Sequence, residues 1–330
     1  MATKVAINGF GRIGMLAAKV IADRDDLVLT AINATGAPDQ IEYLLKHDSV
    51  HGQFGGVKLI DDKTIKIDKN TVKINSTREP AEADFGDATV LLECTGKFLT
   101  KEKAALHIRG NIKKVVMSAP AKDDTPTYVI GVNHTQYKGE TVVSNASCTT
   151  NCLAPIAKVL HEAFGIESGL MTTIHSYTND QNILDVKHAT DRRRARAAAL
   201  NMIPTTTGAA KAVGLVLPEL AGKLNGFSMR VPTPDVSVVD LTANFKKSVT
   251  KEALNEAVKA AANGAFKGLI LVDEDKCVSS DFIHCPASAI YVADTTQVIG
   301  DKFAKVLAWY DNEWGYTNRL VDMAAYIAVH

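Results

Sequence analysis

The chain lacks any apolar run near the ~18 residues that a membrane-crossing helix needs, so it does not read as a membrane-spanning protein. It lacks an excess of either charge: 37 basic residues face 37 acidic ones. Bulk charge therefore argues against nucleic acid or an anionic membrane as the main partner. It lacks paired cysteines. The five present, Cys94, Cys148, Cys152, Cys277 and Cys285, are odd in number and scattered, which excludes a disulfide framework and fits a reducing compartment. The opening residues carry no basic-then-apolar leader, and a cytoplasmic location is expected. No Cys or His pair has zinc spacing, so no metal is expected. There is no Walker loop, no G-x-S-x-G elbow, no tandem repeat and no low-complexity linker. What remains is 330 residues, 46% apolar, enough for two domains with a large core.

The first motif stands at the start. Lys4 to Asn8 reads as a short apolar strand, and it runs into Gly9-Phe10-Gly11-Arg12-Ile13-Gly14 and then a helical pattern from Met15 to Ile21. Strand, G-x-G-x-x-G and helix in that order form a dinucleotide-binding turn. Its glycines permit a tight bend and close approach of a pyrophosphate, and the helix start supplies a positive field. The next strand, Leu27 to Ile32, should be followed by an acid for the adenosine ribose 2′-hydroxyl. Ala34 occupies that place, 20 residues past Gly14. A carboxylate there would repel a 2′-phosphate, so its absence predicts that NADP is tolerated beside NAD.

Glu42 to Lys46 reads as helix and Thr64 to Ile74 as a hairpin. Val90 to Gly96 and Lys113 to Pro120 repeat a buried strand ending in a small turn. Strands alternating with helices predict a doubly wound parallel sheet with ligands at the strands' carboxyl ends, where Thr95, Gly96 and Ser118 lie.

Thr141 to Val143 is a further strand, followed by Ser144 through Cys152 and an amphipathic helix read from Leu153 to Phe164. Cys148 thus sits where a strand turns into a helix. Free backbone N–H groups and the helix dipole there favour a thiolate. Gly169 to Ile174 reads as a strand delivering His175, and a Cys with a separate His is the arrangement that activates a thiol. Cys152, four residues beyond Cys148, reads as core. A polar loop from Ser176 to Asn201 carries Thr178, Asp180 and the run Arg192-Arg193-Arg194-Ala195-Arg196. That run is either solvated surface, a subunit contact or a holder of substrate phosphate. Pro204 to Lys211 is hydroxyl-rich and precedes a helix, a second candidate anion site. Arg230 ends a strand at Phe227 to Met229. Val236 to Thr242 and Phe303 to Tyr310 read as strands, and Thr250 to Ala262 as a helix capped by Thr250. Trp314 to Val329 reads as a helix packing back on the first domain.

These residues together resemble the phosphorylating glyceraldehyde-3-phosphate dehydrogenases. The likeness runs nearly end to end: Ile7 to Gly14, Ser144 to Pro155, Thr172 to Gln181, Thr205 to Val213, Arg230 to Pro234 and Trp309 to Tyr316. The resemblance implies that Cys148 attacks the aldehyde of glyceraldehyde 3-phosphate and that His175 takes the hydroxyl proton as hydride leaves for the nicotinamide. Inorganic phosphate then attacks the thioester and gives 1,3-bisphosphoglycerate. Carried over by motif, the substrate phosphate site is Thr178, Asp180, Arg194 and Arg230, and the loop's arginines permit a shift of one residue about Arg194. The inorganic phosphate site is Ser147, Thr149, Thr207 and Gly208. The NAD or NADP site is Gly9, Gly11, Arg12, Ile13, Ala34, Arg78, Thr95, Gly96, Ser118, Asn312 and Tyr316. Asn312 would hold the carboxamide, with Tyr316 near the nicotinamide.

Family members that prefer NAD usually carry Asp at the place of Ala34 and often Leu-Pro at the place of Val186-Lys187. Both departures resemble members that accept NADP. The architecture implied is a Rossmann-type parallel sheet over residues 1–148, closed by the helix 313–330, plus an α+β catalytic domain over 149–312 with a mixed or antiparallel sheet. A homotetramer is expected from the loop after His175. Two other readings compete: an erythrose-4-phosphate dehydrogenase, and a non-catalytic nucleotide- or RNA-binding protein on the same fold.

Overall fold

The computed structural model describes residues 2–330. They form two compact units, one of residues 2–147 with 317–330 and one of residues 148–316.

The first unit opens with β1 (Thr3–Asn8), whose Val5, Ala6 and Ile7 are wholly buried. A continuous apolar run of this kind suits a central parallel strand covered on both faces. Helix α1 (Arg12–Ala22) follows, then β2 (Leu27–Asn33) and α2 (Pro38–Lys46). The short strands β3 (His47–Asp48) and β4 (Gly52–Gln53) pair with each other. β5 (Val57–Asp61), β6 (Thr64–Ile67) and β7 (Asn70–Asn75) form an antiparallel meander that contains the expected hairpin. β8 (Val90–Glu93), α3 (Lys101–Ala105), β9 (Lys114–Met117) and β10 (Val142–Ser144) complete the unit. The sheet order is β10-β9-β8-β1-β2-β7-β6-β5, parallel from β10 through β7. The order reverses direction about β1, so the carboxyl ends of β1, β2 and β8 line the crevice where such sheets take a dinucleotide.

The second unit starts with α4 (Cys148–Phe164), then β11 (Ile166–Ser176), β12 (Ile203–Thr206) and α5 (Ala209–Val216). β13 (Leu224–Val231), β14 (Ser237–Phe245), α6 (Lys251–Asn263), β15 (Ile270–Asp273), β16 (Ala289–Val292), β17 (Gln297–Ile299) and β18 (Phe303–Tyr310) follow. The sheet order is β12-β13-β11-β14-β18-β16-β15, with β17 on β18. It is mixed: β11 runs parallel to β13 and antiparallel to β14. The core helix α4 is buried from Thr149 to Ala157. Thr250 caps α6 as expected, its hydroxyl accepting from the Ala253 N–H at 3.1 Å. Helix α7 (Trp314–Val329) belongs to the first unit from Thr317 onward, where Asp322 pairs with Arg24 at 2.5 Å. Among the described residues no helix is long and apolar enough to cross a membrane.

Two differences from the sequence reading bear on Cys148 and His175. The helix expected from Leu153 already begins at Cys148, because Cys148 to Asn151 carry no glycine or proline to delay it. The strand expected to end at Ile174 continues to Ser176, so His175 lies within the sheet and not after it. Its pairing with Arg230 on β13 extends the strand.

Candidate active site

The glycine turn of the first unit has a separate reason for each glycine. Gly9 has φ +91°, and a Cβ there would stand 2.6 Å from the Thr95 nitrogen. A Cβ on Gly14 would stand 2.1 Å from the Gly9 carbonyl oxygen. Both glycines therefore serve packing between protein backbones. Gly11 differs, because a Cβ there would meet no protein atom within 4 Å. Its glycine leaves the start of α1 open to a phosphate, which fits a dinucleotide. Arg12 and Ile13 begin the helix, with the Arg12 guanidinium 2.9 Å from Asp48. Burial raises the Asp48 carboxyl, and two backbone N–H groups with Arg12 more than offset that, holding it down to about 2.

Ala34 follows β2 and is buried, its N–H donating to the Asn75 carbonyl at 2.9 Å. Arg78 is exposed on the next segment. Thr95 and Gly96 turn the chain after β8, Gly96 with φ +67°. Ser118 follows β9, its N–H donating to the Glu93 carbonyl at 2.9 Å.

In the second unit Cys148 is the first residue of α4 and His175 the penultimate residue of β11. Their side chains meet, Sγ to Nε2 at 3.5 Å. Two residues before Cys148, Ala146 holds φ +55° while fully buried. That conformation is costly for a residue with a Cβ and persists only where the surroundings impose it. The helix start was expected to favour a thiolate. Burial acts against it and pushes the Cys148 thiol up, while the Arg230 charge and contacts to Thr149 pull it part of the way back. Burial, and after it Arg230, lowers His175 to about 3. Both shifts favour the uncharged forms, thiol and imidazole, over the ion pair.

His175 Nδ1 lies 2.8 Å from the Ser176 carbonyl oxygen and 2.6 Å from Arg230 Nη1. Thr149 is buried, its hydroxyl 2.8 Å from that of Tyr310, which lies 2.8 Å from Thr173. Asn312 accepts at Oδ1 from both Ser176 Oγ (2.9 Å) and Ser237 Oγ (2.6 Å), which turns its Nδ2 donors away from the two serines. Tyr316 is buried, with its N–H 3.3 Å from the Asp311 carbonyl.

Among the loop arginines, Arg194 is half-buried and pairs with Asp180. Its Nε also donates to Thr205 Oγ1 at 2.9 Å and lies 3.4 Å from Asp191. Arg196 instead pairs with Asp185 at the surface, and Arg192 and Arg193 are exposed. The Thr178 N–H donates to the Gln181 carboxamide oxygen at 3.3 Å. Thr207 Oγ1 accepts from the Ala209 N–H at 3.2 Å at the start of α5, where a Cβ on Gly208 would meet nothing within 4 Å. Lys187 and Val186 are exposed. Thr205 and Tyr310 lie within the quoted motifs, but Asp191 and Ser237 were not singled out. They act through contacts between residues far apart in the chain, which no local spacing announces.

The matches to known proteins agree with this geometry. Residues 3–101 match the model of the glyceraldehyde 3-phosphate dehydrogenase NAD binding domain, and residues 147–312 match that of the C-terminal domain. The chain belongs to the glyceraldehyde-3-phosphate dehydrogenase family. It is 51% identical over 332 residues to glyceraldehyde-3-phosphate dehydrogenase of Geobacillus stearothermophilus, with 99% of each chain covered. It is 51% identical over 327 residues to that of Cereibacter sphaeroides, with 98% of each covered. It is also 51% identical over 328 residues to the chloroplastic A form of Chlamydomonas reinhardtii, with 97% of this chain and 87% of the relative covered. The parallel sheet of the first unit is thus the NAD-binding Rossmann fold of this family, and the mixed sheet of the second is its catalytic fold.

Proposed function

We propose that this chain oxidises glyceraldehyde 3-phosphate, with inorganic phosphate and a nicotinamide dinucleotide, to 1,3-bisphosphoglycerate. The observation that carries the reading is the 3.5 Å approach of Cys148 Sγ to His175 Nε2 in a chain of this family. Nε2 faces Sγ, so His175 is positioned to take the thiol proton as a base. Sγ loses its proton to Nε2 and bonds to the aldehyde carbon, and His175 returns that proton to the carbonyl oxygen, giving a hemithioacetal. His175 then takes the proton of the hemithioacetal hydroxyl as the C–H bond breaks. The bound dinucleotide supplies the hydride acceptor. The thioester that results keeps the oxidation energy that an oxygen ester would lose to hydrolysis. A phosphate oxygen adds to its carbonyl, the C–S bond breaks, and the acyl phosphate leaves with Cys148 restored. The Cys148 N–H at the helix start and protonated His175 are placed to stabilise the oxyanions.

The substrate phosphate is assigned to Thr178, Asp180, Arg194 and Arg230, with Arg194 taken from the loop run because Asp180, Asp191 and Thr205 hold it inward. Inorganic phosphate is assigned to Ser147, Thr149, Thr207 and Gly208. The dinucleotide is assigned to Gly9, Gly11, Arg12, Ile13, Ala34, Arg78, Thr95, Gly96, Ser118, Asn312 and Tyr316, within a binding domain of residues 1–148 and 313–330. Residues 149–312 form the substrate domain, and the assembly is a homotetramer without a metal, acting in the cytoplasm. Exposed apolar side chains on the loop and second sheet, Leu170, Ile183, Leu184, Leu200 and Met202 among them, support self-association. NADP serves at least as well as NAD, because no carboxylate stands at Ala34.

The test is initial rates on glyceraldehyde 3-phosphate with NAD and NADP in parallel, with and without inorganic phosphate. Phosphate-dependent reduction supports the reading. No reduction of either cofactor, or the same activity in a Cys148→Ser variant, overturns it.

A further inference from the structure

Glu93 ends β8 and is almost wholly buried, with no place in the chemistry above. Four donors converge on its two oxygens. Asn8 Nδ2 lies 2.6 Å and His107 Nε2 3.2 Å from Oε2. The Thr95 N–H lies 2.8 Å from Oε1, which also accepts from the Thr95 hydroxyl. A carboxylate has only acceptors, so the ionised form suits all four, and a side chain carrying its own hydrogens would oppose some of them. The His107 tautomer agrees. Its Nδ1 is buried with no partner among the described residues, between the rings of Phe85 and Phe98, so the proton belongs on Nε2 facing Glu93.

The donors form a directed chain. The Thr77 N–H donates to Asn33 Oδ1 at 3.1 Å, Asn33 Nδ2 to Asn8 Oδ1 at 2.7 Å, and Asn8 Nδ2 to Glu93. Reversing either amide would set donor against donor at one link and acceptor against acceptor at the other. The chain crosses the carboxyl ends of β2, β1 and β8. In this topology β1 and β2 belong to the mononucleotide half that takes adenosine, and β8 to the other half. Asn8 precedes Gly9 directly, and the Thr95 backbone is the surface that Gly9 packs against.

We propose that Glu93 is a positioning residue that fixes the two mononucleotide halves of the dinucleotide site to one another, through Asn8 on one side and Thr95 on the other. The proposal rests on the dinucleotide reading of this site. It does not touch substrate chemistry in the second unit.

The experiment measures dissociation constants of NAD and of AMP, which occupies only the adenosine half, for the full chain and for Glu93→Gln. It also measures the alkylation rate of Cys148 by iodoacetamide without cofactor. The expected result is a loss of about tenfold or more in NAD affinity, the scale of a buried charged acceptor replaced by a side chain that cannot satisfy its donors. AMP affinity changes by less than about twofold on that account, and Cys148 alkylation is unchanged. Equal losses for NAD and AMP would show general damage to the fold and overturn the proposal. Unchanged NAD affinity would also overturn it. His107→Phe keeps a ring between Phe85 and Phe98 and removes one donor. If Glu93→Gln does not fold, His107→Phe decides by the same comparison, with NAD weakened more than AMP expected and equal effects contradicting it. NAD binding to the unchanged chain reports separately on the dinucleotide reading, so failure there is distinct from failure of the variant.

Discussion

Arg230 Nη1 stands 2.6 Å from Nδ1 of His175, and its charge lowers both that imidazole and the Cys148 thiol, adding to burial at the first and opposing it at the second. After burial, it is the main cause that lowers the imidazole, to about 3, and the main influence that pulls the raised Cys148 thiol back down. Removing it should shift both groups upward.

The first prediction follows from that sign. Alkylation of Cys148 by iodoacetamide, followed against pH, should still be rising above pH 8, because burial holds the thiol above its ordinary value of 9.0. Arg230→Ala should move the profile to higher pH and lower the rate at pH 7 by about threefold or more. A profile that moves to lower pH contradicts the electrostatic assignment.

Asp235 gives a prediction about stability. Burial, then the Asp311 and Glu313 charges, push its carboxyl well up. Asp311 stays committed to charge, since it accepts from the N–H groups of His284, Glu313 and Trp314 at 2.7, 2.9 and 2.6 Å. Asp235 thus keeps its proton in the folded chain and loses it on unfolding above about pH 4, so its contribution to stability falls as pH rises. Asn cannot titrate. Asp235→Asn should raise Tm at pH 8 by about 2 °C or more, with the gain shrinking toward pH 4. A gain that grows on acidification would reverse the assignment.

The loop arginines separate by their partners. Arg194→Ala should raise KM for glyceraldehyde 3-phosphate by about ten- to a hundredfold, the scale of a charge-assisted contact. Arg193→Ala and Arg196→Ala should change it by less than about threefold, as exposed ion pairs contribute little. Steady-state kinetics of the three variants checks this, and a larger effect at Arg193 or Arg196 would move the phosphate site along the run.

Much of this arrangement was legible in the residues. The glycine turn, Cys148 at a helix start and His175 delivered by a strand were read from local order alone, because each depends on neighbours in the chain. The choice of Arg194 within its run was not, since Asp180, Asp191 and Thr205 clamp it across a loop. Nor was the upward shift of the Cys148 thiol. A helix start favours a thiolate, and only the fold reveals the burial that opposes it. Glu93 looked like one more strand end, because Asn8 and His107 reach it from 85 and 14 positions away.

The proposed use of NADP rests on Ala34. Ala34→Asp should lower the ratio of NADP to NAD kcat/KM by about tenfold or more, by placing a carboxylate where a 2′-phosphate would lie. An unchanged ratio removes Ala34 as the determinant.

The most direct test of the thioester route is a rapid-mixing measurement of NADH formation from enzyme, NAD and glyceraldehyde 3-phosphate without inorganic phosphate. The account predicts a burst of up to one NADH per Cys148, then near arrest, with turnover resuming when phosphate is added. Steady NADH formation at the same rate with and without phosphate would contradict it.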